Sequence, residues 1–338
     1  MLVESFVLEP TPDYPLFIVA KRYWVPEFNK HAENPAAQTL IVLHSTSFHK
    51  ETWEPTLTDL FEMASQPRPK ATIREAWAID CPNHGEAGER NRKTLKGPGF
   101  EHFSCEKYAQ AVHRFLSAGL IGGAGVDFRK RNLVGIGHSL GANAMLLLQS
   151  IQPTFKFSSL VIVDPMVSVE GPQHLLELRE KLVKRARKRT KCWPTLDEAV
   201  QDYNDPRRHG AKWDPRVRDL FVRHGLYWSE KIANYRICCT REQEVAMYMD
   251  EEGPIKPVET LDRICHSVPV HLILGAIPDL IPAHVHEALI NPKSGRRFAS
   301  IVKLNVGHLV PQEAPTQLAS HILMALSANP PDYPTCRL

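Results

Sequence analysis

The sequence predicts an α/β fold, in which a mostly parallel sheet is flanked by helices and an inserted helical cap interrupts the chain. Short apolar segments typical of buried strands alternate with amphipathic segments over residues 1–167, and the alternation resumes at residue 263. Strands that alternate with helices favour a parallel sheet covered on both faces. Residues 168–262 are charged, rich in Trp, Tyr and Arg, and helical in their apolar spacing. We therefore predict a cap at 168–262, inserted into an α/β core formed by residues 1–167 and 263–338.

The elements of the core follow from the spacing of apolar residues, taken in chain order. Apolar runs and period-two alternation predict strands, whereas apolar residues three and four positions apart predict helices. Before the cap, the predicted strands are 2–8, 16–25, 38–44, 76–80, 131–136 and 160–163, with helices at 53–64, 105–118 and 142–150. After the cap, the predicted elements are strands 268–274 and 299–305 and helix 313–328. Ligands bind at the carboxyl ends of parallel strands, so the loops that follow these strands are the expected place for a site.

The composition allows a sizeable core and argues against several classes of protein. The chain has 338 residues, of which 43% are hydrophobic, and its net charge of +3 is too small to indicate nucleic-acid binding. No apolar run reaches the roughly 20 residues of a transmembrane helix, so we expect no membrane span. Seven cysteines are scattered without metal-ligand spacing, which predicts a reduced intracellular protein with no metal and no organic cofactor.

The segment Gly137-His138-Ser139-Leu140-Gly141 lies between a predicted strand and a predicted helix. A G-x-S-x-G pattern in that context indicates a nucleophile elbow, a sharp turn that exposes a serine hydroxyl above the sheet. The backbone of such a turn is strained, and residues without a side chain avoid a clash on either side of the serine. Ser139 is therefore the predicted nucleophile.

A serine hydroxyl needs a base, and in this type of fold the chain order is serine, acid, histidine. His308 follows the last predicted strand and precedes the last helix, which is where that order places the base. Two aspartates are candidates for the acid that orients the histidine. Asp164 follows the strand after the elbow helix and Asp279 follows the next strand, and position alone slightly favours Asp279.

Two backbone amides are expected to stabilise the negative charge that develops on the substrate oxygen. One belongs to Leu140, the residue after the nucleophile. The other is expected in the loop after the third strand, residues 44–53, where we assign it to Thr46.

Together these residues resemble the α/β-hydrolase superfamily over nearly the whole chain. The segment Ser47-Phe-His-Lys-Glu-Thr-Trp-Glu-Pro55 resembles a loop of a fungal secondary-metabolism branch, which includes the AK-toxin biosynthesis hydrolases and the peroxisomal acyl-CoA hydrolase of mycophenolic acid biosynthesis. In that branch the loop carries glycine where this chain has Ser47. The branch has its acid after the strand that follows the elbow helix, so the resemblance implies Ser139, Asp164 and His308 as the triad, with Asp279 as the alternative.

Two further segments bear on the substrate. The tripeptide Cys336-Arg337-Leu338 is a variant of the Ser-Lys-Leu peroxisomal signal, so we predict peroxisomal localisation and recognition by the import receptor. The predicted cap also contains a basic run that suits the phosphates of coenzyme A, although a solvated helix face has the same composition. The run comprises Arg179, Lys181, Lys184, Arg185, Arg187, Lys188, Arg189 and Lys191.

The sequence therefore predicts a serine hydrolase that acts on a small-molecule acyl substrate, with an acyl-CoA thioester of secondary metabolism as the first candidate. The aromatic residues Trp193, Trp213, Tyr227 and Trp228 are candidates for lining a pocket for a bulky acyl group. An esterase, a lactonase or an acyltransferase with the same triad is an alternative. A hydrolase-fold protein that only binds its ligand is a further alternative, although such proteins usually lose a triad member.

Overall fold

A computed structural model of the protein describes residues 1–66, 71–122, 124–205, 207 and 209–328. The predicted targeting tripeptide at 336–338 lies outside these residues, and peroxisomal localisation stays a prediction. Within the described residues the strands are β1 (Leu2–Leu8), β2 (Ile18–Trp24), β3 (Gln38–Leu43), β4 (Ile73–Ile79), β5 (Asn132–His138), β6 (Phe157–Val163), β7 (Cys192–Trp193), β8 (Leu226–Ser229), β9 (Asn234–Ile237), β10 (Val270–Gly275) and β11 (Ser300–Leu304).

Eight of these strands form one sheet in the described part of the chain, in the order β1-β2-β4-β3-β5-β6-β10-β11. The pairs β1/β2 and β2/β4 are antiparallel. The pairs β4/β3, β3/β5, β5/β6, β6/β10 and β10/β11 are parallel. The predicted mostly parallel sheet is therefore confirmed. Its parallel strands end at one edge, which brings together the loops that follow β3, β5, β6, β10 and β11.

Helices cover both faces of the sheet, as predicted. The α-helices are α1 (Glu54–Ala64), α2 (Gly85–Asn91), α3 (Cys105–Ala118), α4 (Leu140–Leu148), α5 (Leu176–Lys188), α6 (Leu196–Asn204), α7 (Pro215–His224), α8 (Arg241–Tyr248), α9 (Lys256–Ile264), α10 (Ala283–Leu289), α11 (Val310–Glu313) and α12 (Pro315–Ser327). Successive side chains of a strand point to opposite faces. Accordingly, Ile41 and Leu43 of β3 pack with α3 and α4, whereas Leu40 and Val42 pack with α1 and α12.

The segment between β6 and β10, for which we predict a cap and which is called the cap below, is not wholly helical. Strands β7, β9 and β8 form a three-stranded antiparallel sheet between the helices. Each of these strands has four residues or fewer, too short for a period-two pattern to stand out in the sequence. At the end of this region, Val258 and Leu261 of α9 join the apolar cluster that contains α4. The division of the chain at residues 168 and 262 stays a prediction. No helix in the described ranges is both long and apolar enough to cross a membrane.

Candidate active site

Ser139 lies in the sharp turn between β5 and α4, with a positive φ of 54°. Its backbone N–H donates a hydrogen bond to the carbonyl oxygen of Val163, 3.0 Å away, which ties the turn to β6. Two close approaches of neighbouring backbone explain why glycines lie on both sides of Ser139. A Cβ at Gly137 would overlap the backbone of Gly141, and a Cβ at Gly141 would overlap the carbonyl of Leu43 at the end of β3. The turn thus requires the glycines that the sequence supplies.

His308 lies between β11 and α11, and its imidazole contacts both other residues of the predicted triad. Its Nδ1 is 2.6 Å from Asp164 Oδ2, and its Nε2 is 2.9 Å from Ser139 Oγ. A carboxylate only accepts hydrogen bonds, so Nδ1 carries the proton and Nε2 accepts from the serine hydroxyl. The three side chains are buried, with exposed fractions of 5% for Ser139, 4% for His308 and 0% for Asp164. The arrangement suits deprotonation of the serine by the histidine.

The backbone of His308 is fixed independently of its side chain. Its N–H donates to Asp279 Oδ1 at 2.9 Å, and its carbonyl accepts from His138 Nε2 at 2.8 Å. Asp279 therefore contacts the main chain of His308, whereas Asp164 contacts the imidazole. A side chain at Gly307 would overlap the carboxylate of Asp279, so the loop packs closely on this aspartate. His138 was not predicted as a site residue; its position inside the elbow motif is the only sequence signal that marks it.

Asp164 is held in its ionised form by several donors. Its Oδ1 accepts the backbone N–H of Gly275 at 2.8 Å and lies 3.1 Å from His286 Nε2. Burial alone would raise the pKa of Asp164, but the contacts with His286 and then His308 outweigh burial and lower it to about 2. The carboxylate is therefore charged at neutral pH. His286, on α10, was missed by sequence reasoning because it is one of 16 histidines and carries no local motif.

The loop that follows β3, residues 44–48, lies against the start of α4 and is called the oxyanion loop below. Leu140 is the first residue of α4, so its N–H has no intrahelical acceptor. Thr46 lines the same cavity as Ser139. His44 anchors the loop: its Nδ1 donates to the carbonyl of Ser45 at 2.8 Å, and its Nε2 accepts the N–H of Cys81 at 3.0 Å. Burial lowers the pKa of His44 to about 3, which keeps the ring neutral.

Residues 47–55, the segment that resembles the fungal hydrolases, contribute to a cluster of buried ionic side chains behind the oxyanion loop. Lys50 is fully buried, and its Nζ lies 2.9 Å from Asp80 and 3.0 Å from Glu51. Burial disfavours the Lys50 ammonium, but Asp80 and Glu51 outweigh burial and raise its pKa. Glu51 also lies 3.0 Å from His49 Nδ1. These contacts give the polar residues of the segment a structural role in holding the loop.

A cavity of about 630 Å³ extends from Ser139 and His308 into the cap. One wall is α5, where the cavity-lining cations Lys181, Lys184, Arg185 and Lys188 recur at the spacing of a single helix face. All four are exposed, and none has a carboxylate of the described residues within ion-pair distance. The other four residues of the basic run either pair with a carboxylate or do not line the cavity. Arg179 pairs with Glu251, Arg189 pairs with Glu244, and Arg187 and Lys191 do not line the cavity.

The aromatic residues predicted for the pocket divide into two pairs. Trp193 and Trp213 line the cavity, together with Phe48, Tyr203 and Tyr248. Tyr227 and Trp228 lie in the small sheet instead, where Arg92 stacks on Tyr227 and Trp228 packs on Tyr235. The described residues contain no cluster of three or more His, Cys, Asp or Glu side chains arranged to hold a metal ion.

Comparison with known proteins adds independent findings. A protein-family model described as "Alpha/beta hydrolase family" matches residues 40–321. Over 204 residues the chain is 26% identical to "Type I acyl-CoA thioesterase mpaH" of Penicillium brevicompactum, an alignment that covers 59% of this chain and 43% of that protein. It is 30% identical over 95 residues to "Abhydrolase domain-containing protein AFT2-1" of Alternaria alternata, covering 28% of this chain and 34% of that protein. The chain thus spans less than half the length of these relatives.

Among solved structures, the fold resembles "Peroxisomal alpha-beta-hydrolase Lpx1" from Saccharomyces cerevisiae. The TM-score is 0.72 at 19% identity, covering 100% of this chain and 92% of that one. The expected resemblance to fungal secondary-metabolism hydrolases is confirmed at modest identity by the two fungal relatives.

Proposed function

The chain belongs to the alpha/beta hydrolase family, and from this premise we propose that it is a serine hydrolase of acyl-CoA thioesters, with Ser139, His308 and Asp164 as its triad. The observation that carries the choice of substrate is the cavity wall formed by α5. Four cations without a carboxylate partner among the described residues lie along the cavity that starts at Ser139, and coenzyme A is an acyl carrier with several phosphates. The thioesterase name of the Penicillium relative supports the same class of substrate.

In the proposed reaction His308 accepts the proton of Ser139 Oγ while that oxygen attacks the thioester carbonyl. The N–H groups of Leu140 and Thr46 stabilise the oxyanion of the tetrahedral intermediate. As the intermediate collapses, the C–S bond breaks and His308 protonates the leaving thiolate. A water molecule then attacks the acyl-enzyme, with His308 again as the base, and releases the carboxylic acid and free Ser139. Asp164 stays ionised throughout, because its pKa is lowered to about 2, and it stabilises the imidazolium.

The remainder of the cavity fits an acyl group of substantial size. Its volume of about 630 Å³ lies in the range of pockets that bury drug-sized ligands. The walls away from α5 include Phe48, Trp193 and Trp213, whose rings offer apolar surface to the acyl chain. We propose that the acyl group occupies this aromatic part of the cavity while the coenzyme lies along α5.

The test is a charge reversal on the α5 face with two substrates. In the double variant Lys184→Glu/Lys188→Glu, we expect the KM for a medium-chain acyl-CoA to rise about tenfold, which corresponds to about 1.4 kcal/mol. The KM for the matching acyl-pantetheine, which lacks the nucleotide phosphates, should change less than twofold. Arg187→Glu is the matched control, because Arg187 lies on the same helix but outside the cavity lining.

The outcome separates the candidate functions. Equal effects of the reversal on both thioesters would remove the phosphate argument. Faster turnover of matched oxygen esters than of thioesters would favour an esterase, a lactonase or an acyltransferase with the same triad. Failure of a fluorophosphonate probe to label Ser139 would contradict the catalytic assignment and favour a ligand-binding protein.

A further inference from the structure

Ser47, in the oxyanion loop, has a backbone conformation that normally requires glycine. Its φ is 73°, in the left-handed region that non-glycine residues rarely adopt. The side chain of Ser47 has a specific partner, since its Oγ donates a hydrogen bond to Glu244 Oε1. Ser47 is adjacent to Thr46, the residue whose N–H we assign to the oxyanion. The contact with Glu244 therefore lies one residue away from the assigned oxyanion donor.

Glu244 lies on α8, in the cap region, and is 5% exposed. Its second oxygen, Oε2, is 3.1 Å from Nη1 of Arg189. Both carboxylate oxygens are thus engaged, one by the oxyanion loop and the other by the residue that follows the last residue of α5. A buried carboxylate with two specific partners has a fixed position, because loss of Arg189 would leave its charge unpaired and loss of Ser47 would leave one oxygen without a hydrogen bond.

Arg189 is held in turn by the cap. Its Nη2 lies 3.4 Å from the hydroxyl of Tyr203, its guanidinium faces the ring of Phe221 at 5.7 Å, and its carbonyl accepts a hydrogen bond from Arg241. Burial disfavours the charged guanidinium, but Glu244 and Tyr203 outweigh burial and raise the pKa of Arg189. The cap therefore presents a permanently charged, immobilised arginine to Glu244.

We propose that Ser47, Glu244 and Arg189 form a relay through which the cap positions the oxyanion loop. This inference rests on the proposed function, since it takes Thr46 as an oxyanion donor. In the relay Ser47 and Glu244, which both line the cavity, are positioning residues that fix the direction of the Thr46 N–H. Glycine at position 47 would fit the backbone, and it would leave the loop without this link to the cap.

The relay predicts a specific kinetic signature. Oxyanion donors bind the transition state more strongly than the ground state, so misplacing one lowers kcat and leaves KM nearly unchanged. Complete removal of a donor costs about 10²–10³ in kcat. Loosening a donor that is still present should cost less, and we expect a loss of about tenfold.

Ser47→Gly is the decisive variant, because glycine accepts the observed φ while the hydroxymethyl group, with its hydrogen bond to Glu244, is lost. With 4-nitrophenyl butyrate, we expect kcat to fall about tenfold and KM to stay within twofold. The affinity for an alkyl trifluoromethyl ketone, which forms a tetrahedral oxyanion adduct with the serine, should fall by the same factor. A variant with wild-type kcat and wild-type affinity for the ketone would overturn the relay.

Glu244→Gln tests the link from the cap side. We expect a loss of kcat of about three- to tenfold, and in the double variant Ser47→Gly/Glu244→Gln the two losses should not multiply. Losses that multiply would show independent effects and contradict the relay. Asp219→Asn is the matched acid-to-amide control, since Asp219 pairs with Arg223 at 2.6 Å on the exposed surface of α7. Thermal unfolding of each variant distinguishes a folding defect from a loss of positioning.

Failure of the relay and failure of the proposed function give different results. If the fluorophosphonate probe does not label wild-type Ser139, the triad assignment and the relay fall together. If the wild-type protein is labelled and hydrolyses the ester while Ser47→Gly matches it in kcat and in ketone affinity, the relay alone is wrong.

Discussion

The two walls of the cavity differ in how their polar groups are paired. On the core side, Ser139, Asp164 and His308 are buried and hydrogen-bonded to one another. On the cap side, the cavity-lining cations of α5, such as Lys184 and Lys188, are exposed and have no acidic partner among the described residues, whereas Arg189 beyond the helix end is paired with Glu244. Buried polar groups must be satisfied when the protein folds, whereas exposed charges remain solvated at little cost. The comparison shows preorganised polar groups beside an exposed basic surface, which is the arrangement that the proposed function requires.

The largest expected effect tests which aspartate belongs to the reaction centre. Asp164→Asn should lower kcat by about 10⁴, because it removes the charge that orients and stabilises His308. Asp279→Asn keeps an oxygen that can accept the N–H of His308, so we expect a loss of about tenfold or less. Steady-state kinetics with one thioester and one ester measure both variants. A greater loss for Asp279→Asn than for Asp164→Asn would contradict the assignment.

The second prediction compares two lysines by their effect on stability: Lys50, in the buried cluster behind the oxyanion loop, and Lys184, on the α5 wall of the cavity. Lys50→Met should lower the free energy of unfolding by about 3–5 kcal/mol, because it removes the buried cation of Asp80 and one of the two lysines that pair with Glu51. Lys184→Met, on the open wall, should change it by less than about 0.5 kcal/mol. Urea unfolding at neutral pH measures both values. Similar values for the two variants would contradict the difference between buried, paired charges on the core side and exposed charges on α5.

The same difference between the walls explains what the sequence alone could predict. The elbow at Ser139 and the position of His308 were recognisable because strand, turn and helix are contiguous in the chain. The acid could not be assigned from position, since Asp164 and Asp279 follow β6 and β10, which are neighbours in the sheet and end at the same edge. Only the directions of the side chains separate them, and a resemblance to known sequences supplied that choice.

Contacts between distant segments had no signal in the sequence. Ser47 and Glu244 are 197 positions apart, and His286 reaches Asp164 from a helix that follows a different strand. The basic run was recognisable in the sequence. Which of its residues line the cavity depends on where α5 begins and on which face of the helix is turned towards the cavity. Helical spacing from Lys181 places Lys184, Arg185 and Lys188 on one face and leaves Arg187 off it.

The smallest expected effect concerns how the stability of the reaction centre depends on pH. The folded-state pKa of Asp164 is lowered from 3.8 to about 2, so its stabilising contribution is complete above about pH 4 and is lost as the pH falls towards 2. A shift of this size corresponds to about 2 kcal/mol. The difference in unfolding free energy between the wild type and Asp164→Asn should therefore shrink by about that amount between pH 4 and pH 2.

Urea unfolding at several pH values in that range measures the change, with Asp219→Asn as the exposed control. Asp219 lies in solvent, where the pairing of exposed charges contributes little, so its variant should follow the wild type closely across the range. A pH-independent difference for Asp164→Asn would mean that this carboxylate gains nothing from its donors in the folded state. The core wall would then lack the preorganised charge that distinguishes it from the cap wall.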